Sequence, residues 1–347
     1  MNVNTLVTDK NPSIKIAEFD YNGKQKKIVA YSKKYNNAIL LNKEIPIEVL
    51  LQKEDKYFNF KKEKTIFFKK IIGSSWDFSF LKYFEFLLTK TGKIFCFFLL
   101  FPCILTFSLI KFISQQSKLY SNFFDTNSLL VIILFCICLL IQTIFHEFGH
   151  LTAMKKNKLS LSGVGVGIYL TSVVLFVPMY ESWLLKRKQR LEIDIAGIIF
   201  QLYFIFIVLM VNLFIKSELV NIYILFSTMI LLNNFNPFLK YDGYWILSDH
   251  LGVYNLHKWI RISIKNMFTN SEELTAVFYK HTIIKIKCYS LITSIFLVFF
   301  LFMLFRINVT NITELIVEAN IFRLFYTVFI AYFTLLAFKS IIRVLWR

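Results

Sequence analysis

Residues 128–150 read SLLVIILFCICLLIQTIFHEFGH, an apolar run that ends in His146-Glu147-Phe148-Gly149-His150. A helix needs about 20 apolar residues to cross a bilayer, so this run predicts a membrane span. Side chains four positions apart share one face of a helix, which lets the imidazoles of His146 and His150 reach one metal ion. The H-E-x-x-H pattern is typical of zinc sites in which the glutamate, here Glu147, acts as general base.

The composition excludes an ordinary soluble domain. Hydrophobic residues make up 56% of the chain, 40 residues are Phe, and the mean hydropathy is +0.56. A soluble core cannot bury that much apolar surface, whereas a polytopic membrane protein exposes it to lipid. The net charge of +18 could indicate nucleic-acid binding, but no recognition motif accompanies it. The basic excess is better explained by the cytoplasmic-side bias of membrane proteins, with anionic lipid as the partner.

The apolar runs predict about six membrane-spanning helices, which are residues 93–113, 128–150, 194–215, 219–237, 288–305 and 321–338. With this topology, segments on one side of the membrane carry 35 Lys and Arg residues and segments on the other carry 5. Positive residues concentrate on the cytoplasmic side, so both termini are expected in the cytoplasm, with the chain crossing the plasma membrane several times.

One further apolar stretch, residues 161–180, is long enough to span but is not expected to do so. Gly163, Gly165 and Gly167 alternate and are followed by β-branched residues, a period-two pattern that indicates strands. Basic clusters on both sides of the stretch place its two ends on the same side of the membrane. It therefore predicts a re-entrant β-hairpin near the site. The glycines either form a strand that pairs with an extended substrate or only permit tight packing.

The fold class predicted is an all-α polytopic membrane protein with this hairpin and a small N-terminal α+β cytoplasmic domain. The predicted division is a cytoplasmic domain over 1–75, an interfacial helix or linker over 76–92, a transmembrane zinc domain over 93–338 with its core at 128–250, and a basic tail over 339–347.

Two local predictions concern the N-terminal domain. Residues 19–24, FDYNGK, have the composition of a hairpin turn with a strand on either side. Residues 37–51 are expected to form a short helical patch broken by Pro46.

A third metal ligand is expected in residues 233–245, NNFNPFLKYDGYW. A carboxylate near a membrane is costly unless it is paired or bound to a metal, and Asp242 precedes the flexible Gly243. Asp-Gly is also a common turn pair, but the His146/His150 motif favours a ligand. Two imidazoles and one carboxylate leave a fourth position open, as in catalytic zinc sites. The other histidines, His250, His257 and His281, are expected to be surface or interface residues.

This ordered set of motifs resembles the site-2 protease family of intramembrane zinc metalloproteases. The set comprises the HEFGH sequence, the glycine-rich stretch, Ala196-Gly197, and Asn234-x-x-Pro237 with Asp242-Gly243. The resemblance implies one Zn²⁺ per chain bound by His146, His150 and Asp242, with Glu147 as the catalytic base. It also implies that Asn234 assists the reacting carbonyl. The chain departs from many members of the family in having Lys240 where they have a second proline.

The sequence around Asp242 also resembles a bacterial subgroup of peptide zinc metalloproteases. That resemblance implies cleavage of a peptide or membrane-protein substrate in the maturation of a ribosomally made peptide, with a peptide exporter as a candidate partner. Two alternatives remain. One is regulated intramembrane proteolysis of a membrane-anchored signalling factor, and the other is a non-catalytic zinc-holding transporter or immunity component. A pure binding site has no need of Glu147 beside the ligands, which favours an enzyme.

Overall fold

Helices form most of the described part of the chain, which also contains two small antiparallel sheets. The computed structural model describes residues 6–7, 14–24, 27–33, 37–41, 69–70, 78–114, 129–161, 163–169, 172–268, 273–317, 327–328, 331–332 and 334–335. The predicted class, mostly helical with a small strand-containing region, is confirmed.

The described helices are α1 (Lys90–Ser114), α2 (Leu129–Lys156), α3 (Arg187–Ile215), α4 (Glu218–Asn234), α5 (Asp242–Leu251), α6 (Leu256–Phe268), α7 (Glu273–Val277) and α8 (Lys280–Val317). Two 3₁₀ helices cover Ser79–Leu88 and Tyr180–Leu184. The strands are β1 (Leu6–Val7), β2 (Ile14–Phe19), β3 (Lys27–Ser32), β4 (Asn37–Leu41), β5 (Lys69–Lys70), β6 (Gly165–Tyr169) and β7 (Ser172–Phe176).

Four described helices are long and apolar enough to cross a membrane: Lys90–Ser114, Ile133–Lys156, Arg187–Ile215 and Lys280–Thr310. Each rises about 1.5 Å per residue, so it can span a hydrocarbon core of about 30 Å. Their outer faces expose large apolar side chains, including Phe98 at 79% and Phe214 at 88%. Such surfaces suit lipid rather than water. These four helices indicate a membrane protein.

The other two predicted spans differ from these four. Residues 219–237 correspond to α4, an apolar helix of only 17 residues. The last predicted span, 321–338, lies largely outside the described residues. Between α4 and α8, the described residues form the three short helices α5, α6 and α7.

Strands β6 and β7 form a β-hairpin, as the alternating glycines predicted. β6 and β7 pair antiparallel with Gly165 opposite Phe176 and Gly167 opposite Val174. β5 adds to the other side of β6 at Gly165 and Val166, which completes a three-stranded sheet.

The N-terminal sheet has the strand order β1-β2-β3-β4, with each neighbouring pair antiparallel. The predicted hairpin around residues 19–24 is confirmed, since Phe19 lies opposite Lys27. The predicted helical patch over 37–51 is wrong at its start, because Asn37–Leu41 pairs with β3 as strand β4. A short apolar run has no helical or strand period of its own, and the neighbouring strand decides its conformation. Residues 42–51 lie outside the described residues.

The N-terminal sheet is attached to the helices near the start of α3 and the end of α5. The Asp20 carboxylate accepts hydrogen bonds from the backbone N–H and Nε of Arg187, at 3.0 and 3.1 Å. The Asn22 backbone N–H donates to the Gly252 carbonyl at 2.7 Å. These contacts hold β2 and the turn after it beside the helices that carry the candidate site.

Candidate metal centre

The three predicted metal ligands, His146, His150 and Asp242, come together in the structure. The His146 and His150 Nε2 atoms are 3.2 Å apart. Asp242 Oδ2 lies 2.9 Å from Nε2 of His146 and 3.6 Å from Nε2 of His150. Tetrahedral zinc bound at about 2.0–2.1 Å requires ligand atoms roughly 3.3 Å apart. The spacing of the three atoms therefore fits one metal ion.

The local structure explains why these side chains meet. His146 and His150 are one turn apart on α2, whereas Asp242 is the first residue of α5. A carboxylate at a helix N-terminus is stabilised by the helix dipole. Burial raises the pKa of Asp242, but positive charge at the two imidazoles outweighs this effect and holds the pKa of the carboxyl below its usual range. A cation between these side chains therefore favours the ionised carboxylate.

The other nitrogen of each imidazole has a partner that fixes the ring. His150 Nδ1 lies 2.8 Å from the carbonyl oxygen of Ile193, and His146 Nδ1 lies 3.3 Å from Oε1 of Gln201. Both partners are acceptors, so each Nδ1 carries the proton and donates it. The lone pair of each Nε2 is then directed at the ligand cluster, which is how histidines are oriented in metal sites.

Three acceptor atoms consequently face one another in a buried place. Asp242 Oδ2 is buried and has no hydrogen-bond partner among the described residues. Converging lone pairs repel and are desolvated, so the cluster requires a positive charge, either a proton or a metal cation. A proton would satisfy one pair of atoms, whereas a metal ion would satisfy all three. These donors fit a catalytic zinc site with an open fourth position.

Two glycines bring α2 and α3 close enough to build the cluster. A Cβ on Gly149 would lie 2.3 Å from the backbone oxygen of Ala196, so the two helices touch through their backbones there. A Cβ on Gly197 would lie 2.5 Å from His150 Nε2 and 2.7 Å from His146 Nε2. The space next to the two imidazole nitrogens therefore exists only because residue 197 has no side chain.

Glu147 lies between the two histidines in sequence and is 5% exposed. Its carboxylate accepts a hydrogen bond from the backbone N–H of Val177, the residue that follows β7. The hairpin is thus in direct contact with the predicted general base. Such a contact fixes the carboxylate and leaves its other lone pairs for a water.

Asn234, predicted to assist the reacting carbonyl, is the last residue of α4. Its Nδ2 donates to Gln201 Oε1 at 2.8 Å, and the same oxygen faces His146 Nδ1. The structure thus connects Asn234 to the metal cluster through Gln201. An amide nitrogen carries two protons, so one stays available for a carbonyl. Sequence reasoning missed Gln201, although a carboxamide inside an apolar span is itself a signal of function.

The remaining histidines do not belong to the three-ligand cluster. His250 and His281 are exposed, as predicted. His257 is buried against Tyr244 rather than on the surface, and its Nε2 lies 3.1 Å from the Phe238 carbonyl oxygen. All five cysteines are free thiols.

The glycine-rich strand is not an open edge at the positions described. β6 is the central strand of its sheet, with β7 on one side and β5 on the other at Gly165 and Val166. The expectation that this strand pairs with a substrate is therefore wrong for those two residues. The alternative of tight packing fits Gly165, where a Cβ would lie 2.5 Å from the Phe176 ring.

Comparison with protein-family models, with curated proteins and with solved structures gives no match to this chain. The proposal for the function therefore rests on the positions of His146, His150 and Asp242.

Proposed function

We propose that this chain is a membrane-embedded zinc metalloendopeptidase, similar to site-2 proteases, that processes a ribosomally made peptide. The observation that supports it most directly is the convergence of His146 Nε2, His150 Nε2 and Asp242 Oδ2 at 2.9–3.6 Å. Glu147 is buried next to this cluster, where a general base belongs.

The proposed reaction is hydrolysis of one peptide bond. When bound, zinc would polarise the scissile carbonyl and increase the acidity of the attacking water. Glu147 accepts a proton from that water as the water oxygen bonds to the carbonyl carbon. The same carboxyl then gives the proton to the departing amine nitrogen as the C–N bond breaks. Asn234 donates its free amide proton to the carbonyl oxygen as negative charge develops there.

The setting proposed for this reaction is the plasma membrane of a bacterium. Six crossings with both termini in the cytoplasm agree with the distribution of Lys and Arg, 35 against 5. The metal ligands lie on α2 and α5, near the cytoplasmic ends of two predicted spans. A re-entrant position of the hairpin would set it beside Glu147, in agreement with the Val177 contact.

The decisive experiment compares the wild type with Glu147→Gln. Both proteins are purified in detergent, their metal content is determined by elemental mass spectrometry, and the peptides secreted by each strain are compared by mass spectrometry. We expect zinc in both proteins and cleaved peptide only from the wild type. Cleavage by Glu147→Gln, or a wild type without metal, would refute the proposal.

The same experiment separates the alternatives. A transporter or immunity component would hold zinc in both proteins, and its cellular effect would survive Glu147→Gln. Regulated proteolysis of a membrane-anchored signalling factor would depend on Glu147 but would change the membrane proteins of the strain rather than its secreted peptides.

A further inference from the structure

A second concave region lies beside the metal cluster, where the N-terminal sheet meets α3 and α5. This cavity has a volume of about 180 Å³. Its aromatic wall includes Trp183, Trp245 and Tyr254, and its charged wall consists of Arg190, Asp194 and Asp249. An engineered cavity of about 150 Å³ holds one benzene molecule, whereas sites for whole small ligands usually measure about 300–1,000 Å³. The cavity therefore has room for one side chain and not for a peptide.

The cavity contains one cationic and two acidic side chains. Arg190 Nε donates to both carboxylate oxygens of Asp249, at 2.9 and 3.0 Å. Its terminal nitrogens donate to the backbone carbonyls of Leu185 and Asp20, both at 2.9 Å. Three of the five N–H groups of the guanidinium are thus directed at Asp249 and the backbone.

Asp194 is the second carboxyl of the cavity. It is 7% exposed, it lines the cavity, and its Oδ2 has no hydrogen-bond partner among the described residues. Its side chain also hydrogen-bonds to that of Asp249, so the two carboxyls hold a proton between them. Burial raises the pKa of Asp249 even though Arg190 contacts it, because one guanidinium does not compensate two buried carboxyls. A cation placed next to the pair would take the place of the shared proton.

The aromatic wall favours the same kind of ligand. Trp183 and Tyr254 both line the cavity and meet edge to face with their ring centroids 4.9 Å apart. Faces of Trp and Tyr rings attract ammonium and guanidinium groups, and their carbon surface accepts an aliphatic stem. A group with an apolar stem and a cationic head matches both walls.

The cavity is close to the proposed reaction centre. Asp194 follows Ile193, whose carbonyl oxygen holds the His150 ring. Asp249 lies seven residues beyond Asp242 on α5, which corresponds to about 10 Å along a helix. The 3₁₀ helix that carries Trp183 begins three residues after Val177, the partner of Glu147. A peptide bound at the metal could thus place a neighbouring side chain in the cavity.

We propose that this cavity is a specificity subsite that binds a lysine or arginine side chain of the substrate next to the scissile bond. The assignment to a substrate side chain rests on the proposed function. The binding of a cationic side chain can be tested without it.

The test measures binding to the Glu147→Gln protein in detergent, which binds without cleaving. The probes are N-acetyl-lysinamide and its neutral isostere N-acetyl-norleucinamide, and the readout is tryptophan fluorescence, since Trp183 and Trp245 line the cavity. We expect saturable binding of the lysine probe only, weakened at least about tenfold by Asp194→Asn. Equal binding of both probes, or an unchanged affinity in Asp194→Asn, would overturn the proposal.

A second pair of variants covers the case in which Asp194→Asn does not fold. Tyr180 lines the cavity and is 41% exposed, so it tolerates substitution. In Tyr180→Lys the new ammonium can reach the carboxylates and should abolish binding of the lysine probe. Tyr180→Met has a similar length and no charge, and it should bind the probe. Identical behaviour of the two variants would argue against a cation site.

Peptide cleavage by the wild type then tests the link to proteolysis. If the lysine probe binds and no peptide is cleaved, the cation site stands and the protease proposal fails. If peptides are cleaved without preference for Lys or Arg and the probe does not bind, the protease stands and the subsite fails.

Discussion

A methyl group on Gly197 would lie 2.5 Å from Nε2 of His150. That nitrogen is one of the three atoms that converge on the candidate metal position, and Nε2 of His146 would be only 2.7 Å away. Glycine in a helix interior costs about 0.5–1 kcal/mol relative to alanine. The chain accepts that cost where α3 faces the imidazoles, which indicates that the space has a function.

We expect Gly197→Ala to remove the metal while the protein stays folded. The clashing atoms are the ends of two side chains, so the imidazoles can turn away and the helix is kept. Metal per chain is measured by elemental mass spectrometry, and helix content by circular dichroism. Gly165→Ala is the matched control, because its Cβ would also meet a movable side chain at 2.5 Å, the Phe176 ring. It should retain the metal. A fully metallated Gly197→Ala would show that the ion sits elsewhere.

The ligand set can be tested by removing one donor at a time. We expect alanine at His146, His150 or Asp242 to reduce the metal content to a small fraction of one per chain, because two remaining donors hold zinc weakly. His250→Ala is the control, since His250 is exposed on the same helix as Asp242. A chelator should lower the thermal unfolding midpoint of the wild type and of His250→Ala, because an ion that binds only the folded state stabilises it. The same chelator should not change the thermal unfolding midpoint of His150→Ala. A lower midpoint in that variant would contradict the assignment of His150 as a ligand.

The candidate metal site could be predicted from the sequence because each part of it is local. His146 and His150 are four residues apart on one helix, and the Asp242-Gly243 pair is a local signal too. The β-hairpin could also be predicted from the sequence, because Gly163, Gly165 and Gly167 alternate with period two.

The parts that the sequence did not reveal depend on contacts between distant segments. Gln201 lies next to His146 and Asn234 only because of the way in which α3 is oriented relative to α2 and α4. The prediction of a helix at β4 is wrong because its partner strand β3, and not its own hydrophobic period, sets its conformation. The cation cavity combines residues from the N-terminal sheet, a 3₁₀ helix, α3 and α5, which no spacing rule connects.

Gln201 should act on the metal through His146. Its Oε1 lies 3.3 Å from His146 Nδ1 and accepts from Asn234 Nδ2 at 2.8 Å. We expect Gln201→Leu to weaken zinc binding about 10–100-fold, because groups that orient a ligating histidine contribute that much. Gln142→Leu is the matched control, since Gln142 is also buried on this side of the bundle but bonds to Tyr223. Zinc affinity is measured by competition with a chromogenic chelator, and an equal loss in both variants would indicate general destabilisation.

Asn234 should show two separable effects. Through Gln201 it supports His146. The loss of zinc affinity in the double variant Asn234→Ala/Gln201→Leu should therefore be smaller than the sum of the losses in the two single variants. Its second amide proton is proposed to contact the reacting carbonyl. At saturating zinc, Gln201→Leu should therefore recover its kcat, whereas Asn234→Ala should remain about 100-fold slower. If the kcat of Asn234→Ala also recovered fully at saturating zinc, Asn234 would be a positioning residue only.

Stability below neutral pH should depend on His257, which lies outside the four helices that could span the membrane. The residue is 6% exposed, and its Nδ1 is buried without a hydrogen-bond partner among the described residues. Burial, with a contribution from Lys240, lowers the pKa of His257 to about 4, against about 6.5 in an unfolded chain. Between these two values the unfolded chain binds a proton that the folded chain does not. The free energy of unfolding should therefore fall as the pH drops through 6.5, by about 2 kcal/mol at pH 5.

The measurement is the unfolding midpoint in detergent at pH 7.5, 6 and 5 for the wild type and two variants. His257→Gln keeps a donor for the Phe238 carbonyl but does not titrate, so its stability should change less over this range than that of the wild type. His281→Gln removes an exposed histidine and should follow the wild type. Other groups that titrate over this range contribute equally to the wild type and the variants, so their effect on the unfolding midpoint cancels in the comparison. Parallel curves for the wild type and His257→Gln would mean that water reaches the ring and that the pKa of His257 is not lowered.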